Sequence, residues 1–109
     1  MSGKGRSSNY AKGIRAENKI ATKYRESGWS VKQSPGSRGA ADLKCTSKTG
    51  TIHYVQVKSS GSGSARISSS EVGRLKSTAT RNGATSVIAK VDKNGMNINY
   101  AKSGVNISI

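Results

Sequence analysis

Apolar and polar positions in the first quarter of the chain follow a helical spacing. Tyr10, Ile14, Glu17, Ala21 and Tyr24 fall at steps of four and three along one stripe, which predicts a helix from Tyr10 to Glu26 that stops at Gly28. Glu17 sits in the middle of that stripe. A carboxylate facing a core is costly unless a metal or a lysine compensates its charge. The alternative is that Glu17 lies at the edge of the stripe and reaches solvent or a surface arginine.

Beyond Gly28 the period changes to two. Trp29 to Gln33 alternates as a half-buried strand, and Ser34-Pro-Gly-Ser-Arg-Gly39 reads as a loop. In the next strand Ala41, Leu43 and Cys45 share one face while Asp42 and Lys44 share the other. From Thr51 to Lys58, Ile52, Tyr54, Gln56 and Lys58 point one way and His53, Val55 and Val57 the other.

The turn between these strands decides whether Asp42 joins Gln56 and Lys58. A three-residue loop, Lys48-Thr49-Gly50, with glycine in the left-handed conformation, pairs Ser47 with Thr51 and places Asp42 opposite Gln56. A four-residue loop shifts the pairing by one and turns Asp42 to the other face.

Residues 59–66 form a Ser/Gly-rich connector that ends in Arg66. Ser68 and Glu71 have the spacing of a capping box, and Val72, Leu75 and Ala79 give a second helix its stripe, ending near Asn82-Gly83. Thr85 to Val91 and Met96 to Tyr100 read as strands around an Asp92–Gly95 turn, and Val105 to Ile109 alternates as a candidate sixth strand. The expected fold is α/β, a mixed central sheet flanked by helices in the order α-β-β-β-α-β-β.

Composition then narrows the partners. The 109 residues suit one domain at 10–109, preceded by a basic flexible arm at 1–9. Nineteen Lys and Arg against five Asp and Glu leave a net charge of +14, which points to a polyanion, nucleic acid first. With one Trp, four Tyr and no Phe, stacking on unpaired bases is poorly supplied, so the backbone of duplex DNA is the more natural target. A single Cys45 excludes an internal disulfide, and no Cys/His set has zinc spacing. No apolar run approaches membrane-spanning length, so the expected location is the cytoplasm, with no membrane partner.

Glu17, Asp42, Gln56 and Lys58 would together form a site for phosphodiester hydrolysis. That reaction needs the phosphate shielded, a water activated and the leaving oxyanion stabilised, which magnesium on carboxylates with a nearby lysine can provide. Helical Glu17, then Asp42, then Gln56-Val-Lys58 resembles the PD-(D/E)xK nuclease superfamily. More narrowly, "GIRAENKIATKYRESGWSVKQSPGSRGAADL" with "HYVQVKSS" looks like the archaeal Holliday junction resolvases.

That resemblance implies a restriction-endonuclease-like sheet, a homodimer, and cleavage of four-way DNA junctions in recombination and repair. It assigns Glu17, Asp42 and Gln56 to the metal, Mg2+ with Mn2+ as a substitute, and puts Lys58 beside it. Ser37, which fits better than Ser34, matches the resolvases' loop serine after a proline. Lys4, Arg6, Arg15, Arg38, Lys44 and Arg66 are the candidate contacts to DNA. Gln56 stands where the family usually carries an acid, and Asp42 follows Gly-Ala-Ala rather than a proline-containing lead. Two other readings therefore stay open: a non-catalytic DNA-binding module on a degenerate nuclease fold, and a nuclease of other duplex or flap DNA. His53, on the face opposite Gln56, is expected to pack rather than to react.

Overall fold

A computed structural model describes residues 2–33, 41–59, 67–92 and 95–107, with side chains from Ile14 onward. It opens with helix α1, Ser2–Glu26. The helix begins well before Tyr10, so its backbone runs through the segment expected as a free arm. Once a helix is nucleated, each added residue gains a hydrogen bond at little further cost, which the apolar pattern of the sequence does not register.

The end of α1 is a Schellman motif. Gly28 adopts φ of +92°, its N–H donates to the Arg25 carbonyl at 3.0 Å, and the Trp29 N–H donates to the Tyr24 carbonyl at 3.0 Å. The apolar contact that accompanies such caps is aromatic here: the Tyr24 and Trp29 rings meet edge to face at 5.0 Å.

Five strands follow: β1 (Ser30–Gln33), β2 (Leu43–Thr46), β3 (Ile52–Ser59), β4 (Thr85–Asp92) and β5 (Gly95–Tyr100), with α2 (Ser69–Arg81) between β3 and β4. They form one sheet in chain order. Neighbours run antiparallel except β3 and β4, which are parallel. Parallel neighbours need a crossover across one face of the sheet, and α2 supplies it. The element order is the one expected. No sixth strand forms among the described residues, although Asn99 and Asn106 make an isolated bridge and the Ile107 N–H donates to the Ile98 carbonyl at 2.8 Å.

The β2–β3 turn takes the three-residue form. The Ser47 N–H donates to the Thr51 carbonyl at 2.8 Å, and the Gly50 N–H to the Ser47 carbonyl at 3.1 Å. Gly50 sits at φ of +94°, a conformation that favours glycine. Leu43 then faces Val55, and Cys45 faces His53.

One face of the sheet packs under α1, where Ala16, Ile20, Ala21 and Tyr24 close over Leu43, Cys45, Val55 and Val87. Burial of each large side chain there contributes roughly 1.5–3 kcal/mol. The stripe is rotated from the expected one. Ile14 is 40% exposed, and the core positions are Ala16 and Ile20 rather than Ile14 and Glu17. Tertiary packing thus selects Ala16 over the longer apolar side chain of Ile14.

The opposite face carries α2. Ser68 caps it by accepting the Glu71 N–H at 3.2 Å, while the Glu71 carboxylate accepts the Ser68 N–H at 3.1 Å, completing the expected capping box. Leu75 and Ala79 are the residues it buries. Among the described residues no helix is long and apolar enough to cross a membrane.

Candidate active site

Asp42 immediately precedes β2, at the end away from the β2–β3 turn. Its N–H donates to the Val55 carbonyl at 2.8 Å, and its Oδ2 accepts the Val57 N–H at 2.8 Å. Continuing the β2–β3 register places Asp42 opposite Gln56, so the acid grips β3 on both sides of that residue. It is only 7% exposed. Burial raises its carboxyl above the usual value, opposed by the Val57 hydrogen bond and the Lys58 charge, with the Glu71 charge raising it further.

Gln56 and Lys58 alternate with the buried Val55 and Val57, so both project on the face away from α1, as the pattern required. The Lys58 ammonium meets the Glu71 carboxylate, with Nζ and Oε2 2.5 Å apart. That bond and the Ser68 backbone hold the Glu71 carboxyl below its ordinary value.

Glu17 reaches the same region from α1. It is half-buried, at the edge of the apolar stripe rather than within it. Burial and then the charge of Asp42 raise its carboxyl. The two acids therefore sense one another, although Glu17 comes from α1 and Asp42 from the sheet margin.

The remaining residues sort by position. His53 is buried on the α1 face, its Nδ1 at 2.9 Å from the Tyr24 hydroxyl and its ring among Tyr24, Trp29 and Tyr100. It is a packing residue. Lys44 is exposed and pairs with Tyr54 in the β2–β3 ladder, two positions from Asp42 on the side of the sheet that carries Gln56. Arg15 does not join the site: two residues from Glu17, it lies on the far flank of the helix, where it lines a groove of about 500 Å³ with Lys19, Lys23 and Met96. Ser37, Arg38 and Arg66 lie outside the described residues, as do the side chains of Lys4 and Arg6.

Glu71 is the member that sequence reasoning did not assign to the site. The sequence marked it as half of a capping box, and nothing local says that its second oxygen meets a strand lysine thirteen positions earlier.

The donors suit a hard cation. Glu17, Asp42 and the Gln56 amide carbonyl offer oxygen, the ligand type magnesium takes, and a cation there would offset the charge of Asp42 that raises the Glu17 carboxyl. Among the described residues no three His, Cys, Asp or Glu side chains are grouped to hold a metal. Glu17 and Asp42 are the two carboxylates here that could hold a divalent cation.

No curated protein sequence matches the chain. Among solved structures, it resembles that of Archaeoglobus fulgidus Hjc, a Holliday junction resolvase from an archaeal hyperthermophile. The TM-score is 0.72 and the identity 20%, over 84% of this chain and 74% of that one. At that identity the likeness speaks for the fold, a mixed sheet between helices. A sequence model of the archaeal Holliday junction resolvase (Hjc) family matches residues 8–103. With the motif of Glu17, Asp42 and Lys58 inside that span and the fold in agreement, the chain belongs to the archaeal Holliday junction resolvase family, nucleases that cut DNA at four-way junctions.

Proposed function

We propose that the chain cuts four-way DNA junctions by magnesium-assisted phosphodiester hydrolysis, as a homodimer in the cytoplasm. The observation that supports this best is the β2–β3 register, which sets Asp42 opposite Gln56 and two residues from Lys58, with the Asp42 carboxylate bonded to the strand between them.

Glu17, Asp42 and the Gln56 carbonyl, with help from the Val57 carbonyl, would hold the ion, and manganese has the same ligand preference. Bound there, it would shield the phosphate, favour ionisation of the attacking water and stabilise the leaving oxyanion. Asp42 also keeps β3 in place through the Val57 N–H. Lys58 aligns the water and offsets negative charge as the bond breaks.

Lys44, exposed two positions from Asp42, holds the strand next to the cut, and Ser37 and Arg38 lie in sequence just before that acid. Lys4, Arg6 and Arg15 on α1, with Arg66 ahead of α2, track the flanking duplex. These cations supply the sequence-independent part of binding, which weakens as salt rises.

A second reading rests on Gln56, which brings no charge where the family usually carries an acid: a DNA-binding module that has kept the nuclease fold without its chemistry. A labelled four-way junction and its matched linear duplex, incubated with magnesium, with manganese and with chelator, separate the two. Metal-dependent symmetric cuts confined to the junction are expected. Tight binding without cutting in either metal would replace the enzymatic reading with the non-catalytic one.

A further inference from the structure

The two oxygens of Glu71 have separate partners. Oε1 accepts from the Ser68 N–H and from the Ser68 hydroxyl, each at 3.1 Å, and so belongs to the cap of α2. Oε2 lies 2.5 Å from the Lys58 Nζ. Lys58 ends a flexible four-carbon stem, and an ammonium on such a stem ordinarily samples many positions. Glu71 does not, because the capping box fixes its carboxylate to the first turn of a helix packed on the sheet through Leu75 and Ala79. The ammonium therefore has one fixed anchor, set by α2 and not by β3.

Glu71 is a further carboxylate whose charge reaches Asp42, beyond Glu17. It touches Lys58 and, among the described residues, forms no metal-holding trio with the other acids, so its route to the chemistry runs through the lysine.

We infer that Glu71 is a positioning residue for the cleavage proposed above: it fixes the Lys58 ammonium from the capped first turn of α2. This rests on the nuclease reading, and the test keeps the two separable.

Glu71→Gln is informative because glutamine also serves in a capping box, so the charge is removed while the helix cap is retained. Gly83→Ala is the structural control. Gly83 ends α2 at φ of +67°, and alanine there strains the helix far from Lys58. In E71Q the kcat for junction cleavage is expected to fall about 10- to 100-fold, as when a residue that orients a reacting group is lost, with KM and metal-free junction binding retained. The 1H–15N signal of the Lys58 ammonium is expected to move. In G83A the thermal midpoint should drop while kcat and the Lys58 signal stay.

Wild-type cleavage with an unimpaired E71Q overturns the positioning role. An equal loss of kcat in G83A assigns the effect to helix stability and overturns it too. A Lys58 signal indifferent to E71Q overturns the contact itself. A wild-type chain that cuts no junction in either metal overturns the nuclease reading and, with it, any role in cleavage.

Discussion

The Asp42 carboxylate accepts the backbone N–H of Val57 at 2.8 Å, so the acid proposed to hold a metal is also a structural pin in the strand between Gln56 and Lys58. The bond belongs to a side chain that is 7% exposed, and a buried donor left without a partner is expensive. Charge and hydrogen bonding can therefore be removed separately.

Asp42→Asn keeps an oxygen for the Val57 N–H and removes the charge. It is expected to fold with wild-type stability or better, since burial disfavours the ionised acid, and to lose metal-dependent cleavage. Asp42→Ala strands the N–H and should cost about 1–3 kcal/mol in denaturant unfolding. D42N cutting at the wild-type rate would remove Asp42 from the chemistry.

Lys58→Ala should lower cleavage by ~100-fold or more, the scale of a lost proton-transfer or orienting group, with junction affinity little changed. Single-turnover cleavage and gel-shift titration measure the two separately. Joint loss of both would make Lys58 a DNA contact rather than a catalytic one.

Gln56→Glu adds a third carboxylate to the site. The magnesium concentration for half-maximal cleavage should fall, because affinity for hard cations rises with ligand charge. An unchanged titration midpoint would show that position 56 does not face the ion.

Burial lowers the His53 imidazole below its ordinary 6.5. A depressed folded value means that the unfolded chain binds its proton first. His53 thus supports the fold fully above pH 6.5, and this support is lost as pH falls through the folded value. Glu17 and Asp42, both raised, act oppositely, since protonation relieves them in the fold. Thermal midpoints of wild type and His53→Asn between pH 7.5 and 5.5 isolate the histidine: the wild type should lose more on acidification. Parallel curves would mean that the imidazole titrates alike in both states.

Where the determinants are local, the sequence is informative. Gly28 and Gly50 fix a helix end and a turn by backbone conformation, and from the turn follow the β2–β3 register and the position of Asp42 beside Gln56. Helix phase was less legible. Ile14 looks apolar enough for the core, but the helix buries Ala16 and Ile20 against the sheet instead, a choice made by tertiary packing and not by local pattern. Glu71 was out of reach for a related reason. Its local pattern is satisfied by Ser68, and its contact with Lys58 exists only once α2 is laid across the sheet.

The knot of Tyr24, Trp29, His53 and Tyr100 sits near the start of β3, and Lys58 near its end, five residues or roughly 16 Å along the strand. One end is clamped by interlocking rings, while at the other β2 leaves the ladder just beyond Leu43. Amide protons around Cys45 and His53 should thus be among the last to exchange with solvent. Remote from Asp42 and Gln56 the sheet is braced by rings, whereas beside them β3 is held by its ladder to β4 and by a carboxylate standing in for a neighbouring strand's backbone.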